Sequence, residues 1–110
     1  MSITISRLTR EFIRWDVSSD ANLSIATVEI AFMDDPTKIP DEADWNSGEL
    51  VDVETSQSII KVARILVGPD HVDSVDLTPP TQDLIDYQSW VRITDEPERP
   101  VRKSGIVTVE

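Results

Sequence analysis

The stretch TVEIAFM, residues 27–33, sets Val28, Ile30 and Phe32 on one side of an extended chain and Thr27 and Glu29 on the other. Side chains alternate faces along a strand, so a period of two with apolar residues on one face means a half-buried strand with a polar back. The apolar face reaches upstream to Ala26 in LSIATVEIAF. The alternation recurs along the chain. In REFIRWDV, Ile13, Trp15 and Val17 alternate with Phe12, Arg14 and Asp16, whose charges mark the wetter face. SIIKVARILVG places Ile60, Val62 and Leu66 against Ile59, Lys61, Ala63, Ile65 and Val67. Both of its faces are largely apolar, which predicts a central strand or one covered on both sides. YQSWVRITD alternates Tyr87, Ser89, Val91 and Ile93 with Gln88, Trp90, Arg92 and Thr94, and GIVTVE is rich in β-branched residues. Helical periodicity is nearly absent.

Turn-forming segments separate these runs. DDPTKIPDEADWNSG carries two prolines, a glycine and many acids, GPDHVDSVDLTPPTQD carries three prolines, and DEPERP divides the last two strands. Six or seven short strands with turns between them predict an all-β sandwich or barrel. TPPTQDLID could start a short helix around Thr81 to Asp86, of a single turn at most. At 110 residues the expectation is one domain, residues 1–110. With no cysteine, disulfides and thiolate metal sites are excluded, and apolar packing must supply the stability.

DLIDYQS, residues 83–89, is the most informative heptapeptide. It resembles the turn into the penultimate strand of immunoglobulin-like domains, which often reads Asp-x-small-x-Tyr-x-Cys; here Asp83, Tyr87 and Ser89 take those places. Tyr87 is then a corner residue, its ring on the core and its hydroxyl bonded to upstream backbone. Ser89 stands where a disulfide cysteine would be, which suits a sandwich held by packing alone. Ile85 is larger than the usual small residue. The fold expected is an immunoglobulin-like β-sandwich of about seven antiparallel strands, with the last two forming the closing hairpin.

Catalytic signals are weak. The one histidine, His71, lies between Asp70 and Asp73 in GPDHVDS, which reads as solvated loop more readily than as a metal site. Three glycines in total build neither a Gly-x-Ser-x-Gly elbow nor a phosphate-cradling loop. The acidic run from Asp34 to Glu54 reads as a solvated loop; calcium is the alternative, although the EF-hand spacing is absent. A net charge of −11 repels phosphate backbones, so nucleic acid is not an expected partner. No window spans a membrane, and MSITISRLTR lacks a signal-peptide apolar block. The expectation is a protein made and kept in a cytosol-like compartment or released by lysis, with no cofactor.

Two tryptophans and three basic residues stand out as contact candidates. Trp45 sits in the polar segment DEADWNSG, where it either caps the core or anchors a partner. Trp90 lies on the Arg92 face of its strand and poses the same question. Arg99, Arg102 and Lys103 make a basic tip on an acidic protein and suit an acidic patch on a neighbour, further copies of this chain included; the alternative is that they keep an edge hairpin soluble.

The C-terminal half also carries Ala63-Arg64 in a strand ending Val67-Gly68-Pro69, then Tyr87, Trp90, Val91 and Arg92, then Pro97, Glu98, Pro100, Val101, Arg102 and Gly105 before the terminal strand. In these features, and in ISRLTREFIRW at the start, the chain resembles small proteins encoded in the structural gene clusters of tailed bacteriophages, especially those of actinobacteria. A more usual Thr-Pro-Gly-x-Tyr is replaced by the longer TPPTQDLIDY. The resemblance implies a non-enzymatic virion component with an immunoglobulin-like fold, located in the virion and made in the host cytoplasm. Its expected partners are other virion proteins, either major capsid subunits, as a decoration or accessory head protein, or neck subunits, as a head-to-tail connector. A carbohydrate-binding accessory module is the remaining alternative.

Overall fold

The computed structural model describes residues 2–6, 8–17, 27–54, 56, 59–69, 72, 74–77, 84–94 and 99–110. Eight strands are described: β1 Ser2–Ile5, β2 Glu11–Val17, β3 Thr27–Met33, β4 Trp45–Ser47, β5 Glu49–Glu54, β6 Ile59–Val67, β7 Ile85–Thr94 and β8 Val101–Val109. They form a five-stranded sheet in the order β1-β8-β7-β3-β4 and a three-stranded sheet in the order β2-β6-β5. The two sheets face each other across one core. This is the strand order of an immunoglobulin-like sandwich.

Two expectations change. The pairing is not wholly antiparallel, because β1 runs parallel to β8 from Ser2 opposite Ile106 to Ile5 opposite Val109. The acidic run is not one solvated loop either, since it contains a 3-10 turn at Glu42–Asp44 followed by β4 and β5. Thr81–Asp83 lie outside the described residues, and Ile85 and Asp86 belong to β7, not to a helix. As the doubly apolar pattern predicts, β6 is a central strand, flanked by β2 and β5.

The core takes the inward face of each strand: Ile13 and Trp15 of β2, Val28 and Ile30 of β3, Ala63, Ile65 and Val67 of β6, Val91 of β7, and Val107 and Val109 of β8. Ile5 of β1, opposite Val109 of β8, and Leu77 complete it. Tyr87 behaves as a corner residue: its hydroxyl donates to the Leu77 carbonyl at 3.3 Å, and the ring packs on the core. Burial, reinforced by the negative charges of Asp34 and Asp76, pushes its pKa up and keeps the hydroxyl proton available as a donor.

At the centre, one hydrogen-bond chain ties the sheets together. Trp15 Nε1 of β2 donates to Ser89 Oγ of β7 at 3.3 Å, and Ser89 Oγ donates to the Gly105 carbonyl of β8 at 2.7 Å. Ser89 is 0% exposed and Trp15 5%. The Gly105 carbonyl needs this partner because β8 carries a bulge. Gln88 pairs with Ile106 and Trp90 with Lys103, so Ser104 and Gly105 together oppose the single residue Ser89. The buried Gln88 amide donates to the Ser104 carbonyl on the same bulge. Phe32 of β3 packs on Trp15 at 6.2 Å between ring centroids with a 48° tilt. In antibody domains a disulfide joins the two sheets at this level; here an indole–hydroxyl pair spans them.

Glycine is required at two corners. Gly48 passes the chain from β4 in one sheet to β5 in the other with no loop. A Cβ there would lie 2.6 Å from Ile30 Cδ1 and 2.9 Å from the Arg64 carbonyl oxygen. Gly68, at φ 143°, ends β6 against the backbone of Thr9 and Arg10.

Two predictions follow from this core. Ser89→Ala leaves Trp15 Nε1 unpaired and the Gly105 carbonyl with only the long Gln88 amide contact at 3.5 Å, and should cost about 1–3 kcal/mol in urea unfolding. Trp15→Phe should cost measurably less in that background than in the wild type, by roughly 0.5–1.5 kcal/mol; strict additivity of the two changes would reject the hydrogen bond as the link. Gly48→Ala should lower stability by about 1–3 kcal/mol, because the Arg64 carbonyl it meets is backbone and moves only with the sheet.

Candidate interaction surface

The outer face of the five-stranded sheet is not the polar back that the alternation predicts. Ala31, 0% exposed, has Trp45 of β4 beside it on one side and Trp90 of β7 on the other. Met33 and Gln88, paired across β3 and β7, are buried on the same face. Arg92, only 5% exposed, lies over the Trp45 ring with its guanidinium carbon 4.5 Å from the centroid. A guanidinium over an indole face gains cation–π attraction and shields the ring from water.

Glu29 and Glu42 fix the Arg92 fork. Its Nε and Nη2 donate to Glu29 Oε1 at 3.0 and 2.8 Å, and Nη1 donates to Glu42 Oε1 at 2.9 Å. Arg99 Nη2 reaches the same Glu42 oxygen at 3.3 Å. Burial alone would lower the Arg92 pKa; the hydrogen bonds to Glu42 and Glu29 outweigh it and raise the value. The Arg92 hydrogen bond and charge, with Arg99 behind them, hold the Glu42 carboxyl below its ordinary value. Glu42 comes within reach because the 3-10 turn carries it there. That turn is closed by the Asp44 carboxylate accepting from the Asp41 N–H at 2.8 Å.

These contacts place the candidate residues. Trp45 and Trp90 are half-buried members of an outer layer, and the Trp90 indole N–H is buried with no acceptor among the described residues. Arg99 is exposed but bridged to Glu42. Arg102 and Lys103 are exposed within β8, where Arg102 pairs across the ladder with Val91 and Lys103 with Trp90; neither forms an ion pair with a described residue. Asp83 and the turn residues 95–98 lie outside the described residues. So do Asp70, His71 and Asp73, the segment weighed for a metal. Among the described residues no group of three or more His, Cys, Asp or Glu side chains is gathered as a metal site.

Several acids of the 34–54 run hold structure. Asp35 accepts from the Thr37 hydroxyl and N–H at 2.6 and 2.9 Å, and the hydroxyl bond is the larger reason its pKa is lowered. On β5, Asp52 pairs with Lys61, and Glu49 meets Arg64 at 3.4 Å. On the outer face of the three-stranded sheet, the Arg64 guanidinium sits 4.2 Å from the Phe12 ring centroid and that of Arg14 5.9 Å. A cleft of about 370 Å³ between the sheets is lined by Thr27, Val28, Glu29, Ser47, Gly48 and Leu50. Its one ionisable side chain, Glu29, is already committed to Arg92. What the described surface offers is exposed strand edges and charge, with no gathered set of reactive groups.

No protein-family model, no curated protein and no solved structure matches this chain. Among the described residues no helix is long and apolar enough to cross a membrane, which says nothing of β-barrels.

The Arg92 cluster gives a pH prediction. Glu42 ionises more readily in the folded protein than at its ordinary value of 4.5, so its ionised form stabilises the fold. That contribution is complete above the unfolded value and fades as pH falls through the lower folded value. The gap in thermal midpoint between wild type and Glu42→Gln should be widest near pH ~7 and narrow progressively as pH falls below the ordinary value of 4.5. A gap independent of pH would reject the assignment.

Proposed function

We propose that this chain is a non-enzymatic structural protein of a tailed-bacteriophage virion, a decoration or accessory head protein that binds major capsid subunits. The observation that carries the reading is Arg102 and Lys103: exposed, in no described ion pair, and set on the half of β8 that β1 does not pair, in a protein of net charge −11. A basic pair on such a strand suits an acidic patch on a neighbouring subunit, and complementary charge orients a docking event more than it deepens affinity. The sandwich adds a second means of contact, since an edge strand can extend a partner's sheet through backbone hydrogen bonds. The likeness of the Ala63–Pro69, Tyr87–Arg92 and Pro97–Gly105 segments to small phage structural proteins supports the same reading. On it the protein resides in the virion after synthesis in the host cytoplasm, and it needs no cofactor.

Quantitative mass spectrometry of purified particles tests this. A decoration protein should be present in about as many copies as capsid subunits or capsomers, and purified protein should bind capsids assembled without it. Arg102→Glu with Lys103→Glu should reduce incorporation at least ~10-fold, about 1.4 kcal/mol of binding. A few copies per particle, confined to the head–tail junction, would move the protein to the neck. Absence from particles would end the proposal.

A further inference from the structure

Strand β8 has a neighbour on its outer side along only half its length. β1 covers it from Ile106 to Val109, while Val101 to Gly105 have no described strand there. The other sheet ends in a second open edge, β5, because β6 pairs with it on one side only.

Two features of these edges match. Six large apolar side chains are exposed among the described residues, and only Val53 of β5, at 38%, and Val101 of β8, at 45%, lie in strands. Charge is opposite around them. β8 presents Arg102 and Lys103, whereas β5 presents Glu49, Asp52 and Glu54. Glu49 and Asp52 reach Arg64 and Lys61, yet their side chains remain 57% and 56% exposed and can accept a further cation.

We propose that copies of this chain join edge to edge, with Val101–Ser104 of β8 in one copy pairing antiparallel with β5 of the next. One register matches the two valines and the central charges. Arg102 opposite Asp52 brings Val101 opposite Val53 and sets Lys103 diagonal to Glu49, all within cross-strand reach. The faces agree as well. Arg102 shares the core-side face of its sheet with Val91, as Asp52 shares that of its sheet with Leu50, while Val101 and Val53 both lie on outer faces. Shifting the register by one residue in either direction would set Val101 against a carboxylate, Glu54 or Asp52, and part it from Val53. The contact joins two different edges, so it is head to tail, and repetition gives a ring or a filament rather than a closed pair. This deepens the virion reading and rests on it only in taking contact with neighbours as the chain's task.

Sedimentation of the purified protein, with no capsid present, tests the pairing. Wild type should self-associate at up to ~1 mM in low salt, and roughly 1 M salt should weaken the association at least tenfold. Arg102→Glu with Lys103→Glu should be monomeric, as should Glu49→Lys with Asp52→Lys, while an equimolar mixture of the two should associate again. Far-ultraviolet circular dichroism confirms that each is folded. Glu49→Gln with Asp52→Asn, which keeps side-chain shape beside Lys61 and Arg64, replaces the reversal if the latter unfolds, and it too should associate at least tenfold more weakly. A monomeric wild type, or association that neither pair of substitutions weakens, overturns the proposal. Monomeric protein that still decorates capsids would sink this pairing and leave the virion role standing; self-association through these strands in a protein absent from particles would do the reverse.

Discussion

The two sheets are registered on each other by a short polar chain inside an apolar core: Trp15 Nε1 to Ser89 Oγ to the Gly105 carbonyl. A buried polar group is tolerable only when satisfied, and here each member satisfies the next. The chain is also directional. Greasy contacts between Ile13, Ile30, Ile65 and Val107 would survive a small slide of one sheet over the other, but a hydrogen bond of this kind would not. The bulge on β8 is therefore a requirement of the core. It turns a carbonyl inward so that a serine can both receive from one sheet and donate within the other.

The outer layer follows similar economics of satisfaction. A five-stranded sheet with one bare face would expose Ala31 and Met33. Trp45 and Trp90 cover that face instead, and Arg92 covers Trp45. Burying a guanidinium is costly unless its donors are met, and Glu29 and Glu42 meet three of them. The 3-10 turn at Glu42–Asp44 thus has a purpose the charge count hides, which is to deliver one carboxylate across the sheet. With Arg92 and Arg99 balanced by two glutamates, Arg102 and Lys103 remain exposed cations of the same sheet with no described ion pair.

Much of the fold was legible in the residues. Period-two patterns located β2, β3, β6 and β7, and DLIDYQS placed Tyr87 at the corner and Ser89 at the bridging position. What escaped had specific causes. ELVDVE alternates, but three acids in six residues inside a longer acidic run read as solvent-facing loop; Lys61 and Arg64, which neutralise two of them, lie on another strand. β1 is four residues long and pairs in parallel, so no turn signal announces it. Trp15 looked like ordinary core, since the serine that takes its N–H is 74 residues away. The partners of Arg92 are 63 and 50 residues distant, and no local pattern reports contacts at that range. Of the candidate contact residues, Arg102 and Lys103 stand as open as their composition suggested, while Trp45 and Trp90 have intramolecular company that spacing alone could not reveal.

The parallel run of β1 beside β8 has a mechanical consequence. Tension that draws the two strands apart along their own length, in opposite senses, loads every hydrogen bond of that ladder at once, in shear. A hairpin pulled from its open end gives way one bond at a time. At its β1 edge this domain should therefore resist stretching far better than peeling, so a load carried along that seam meets its stiffest direction.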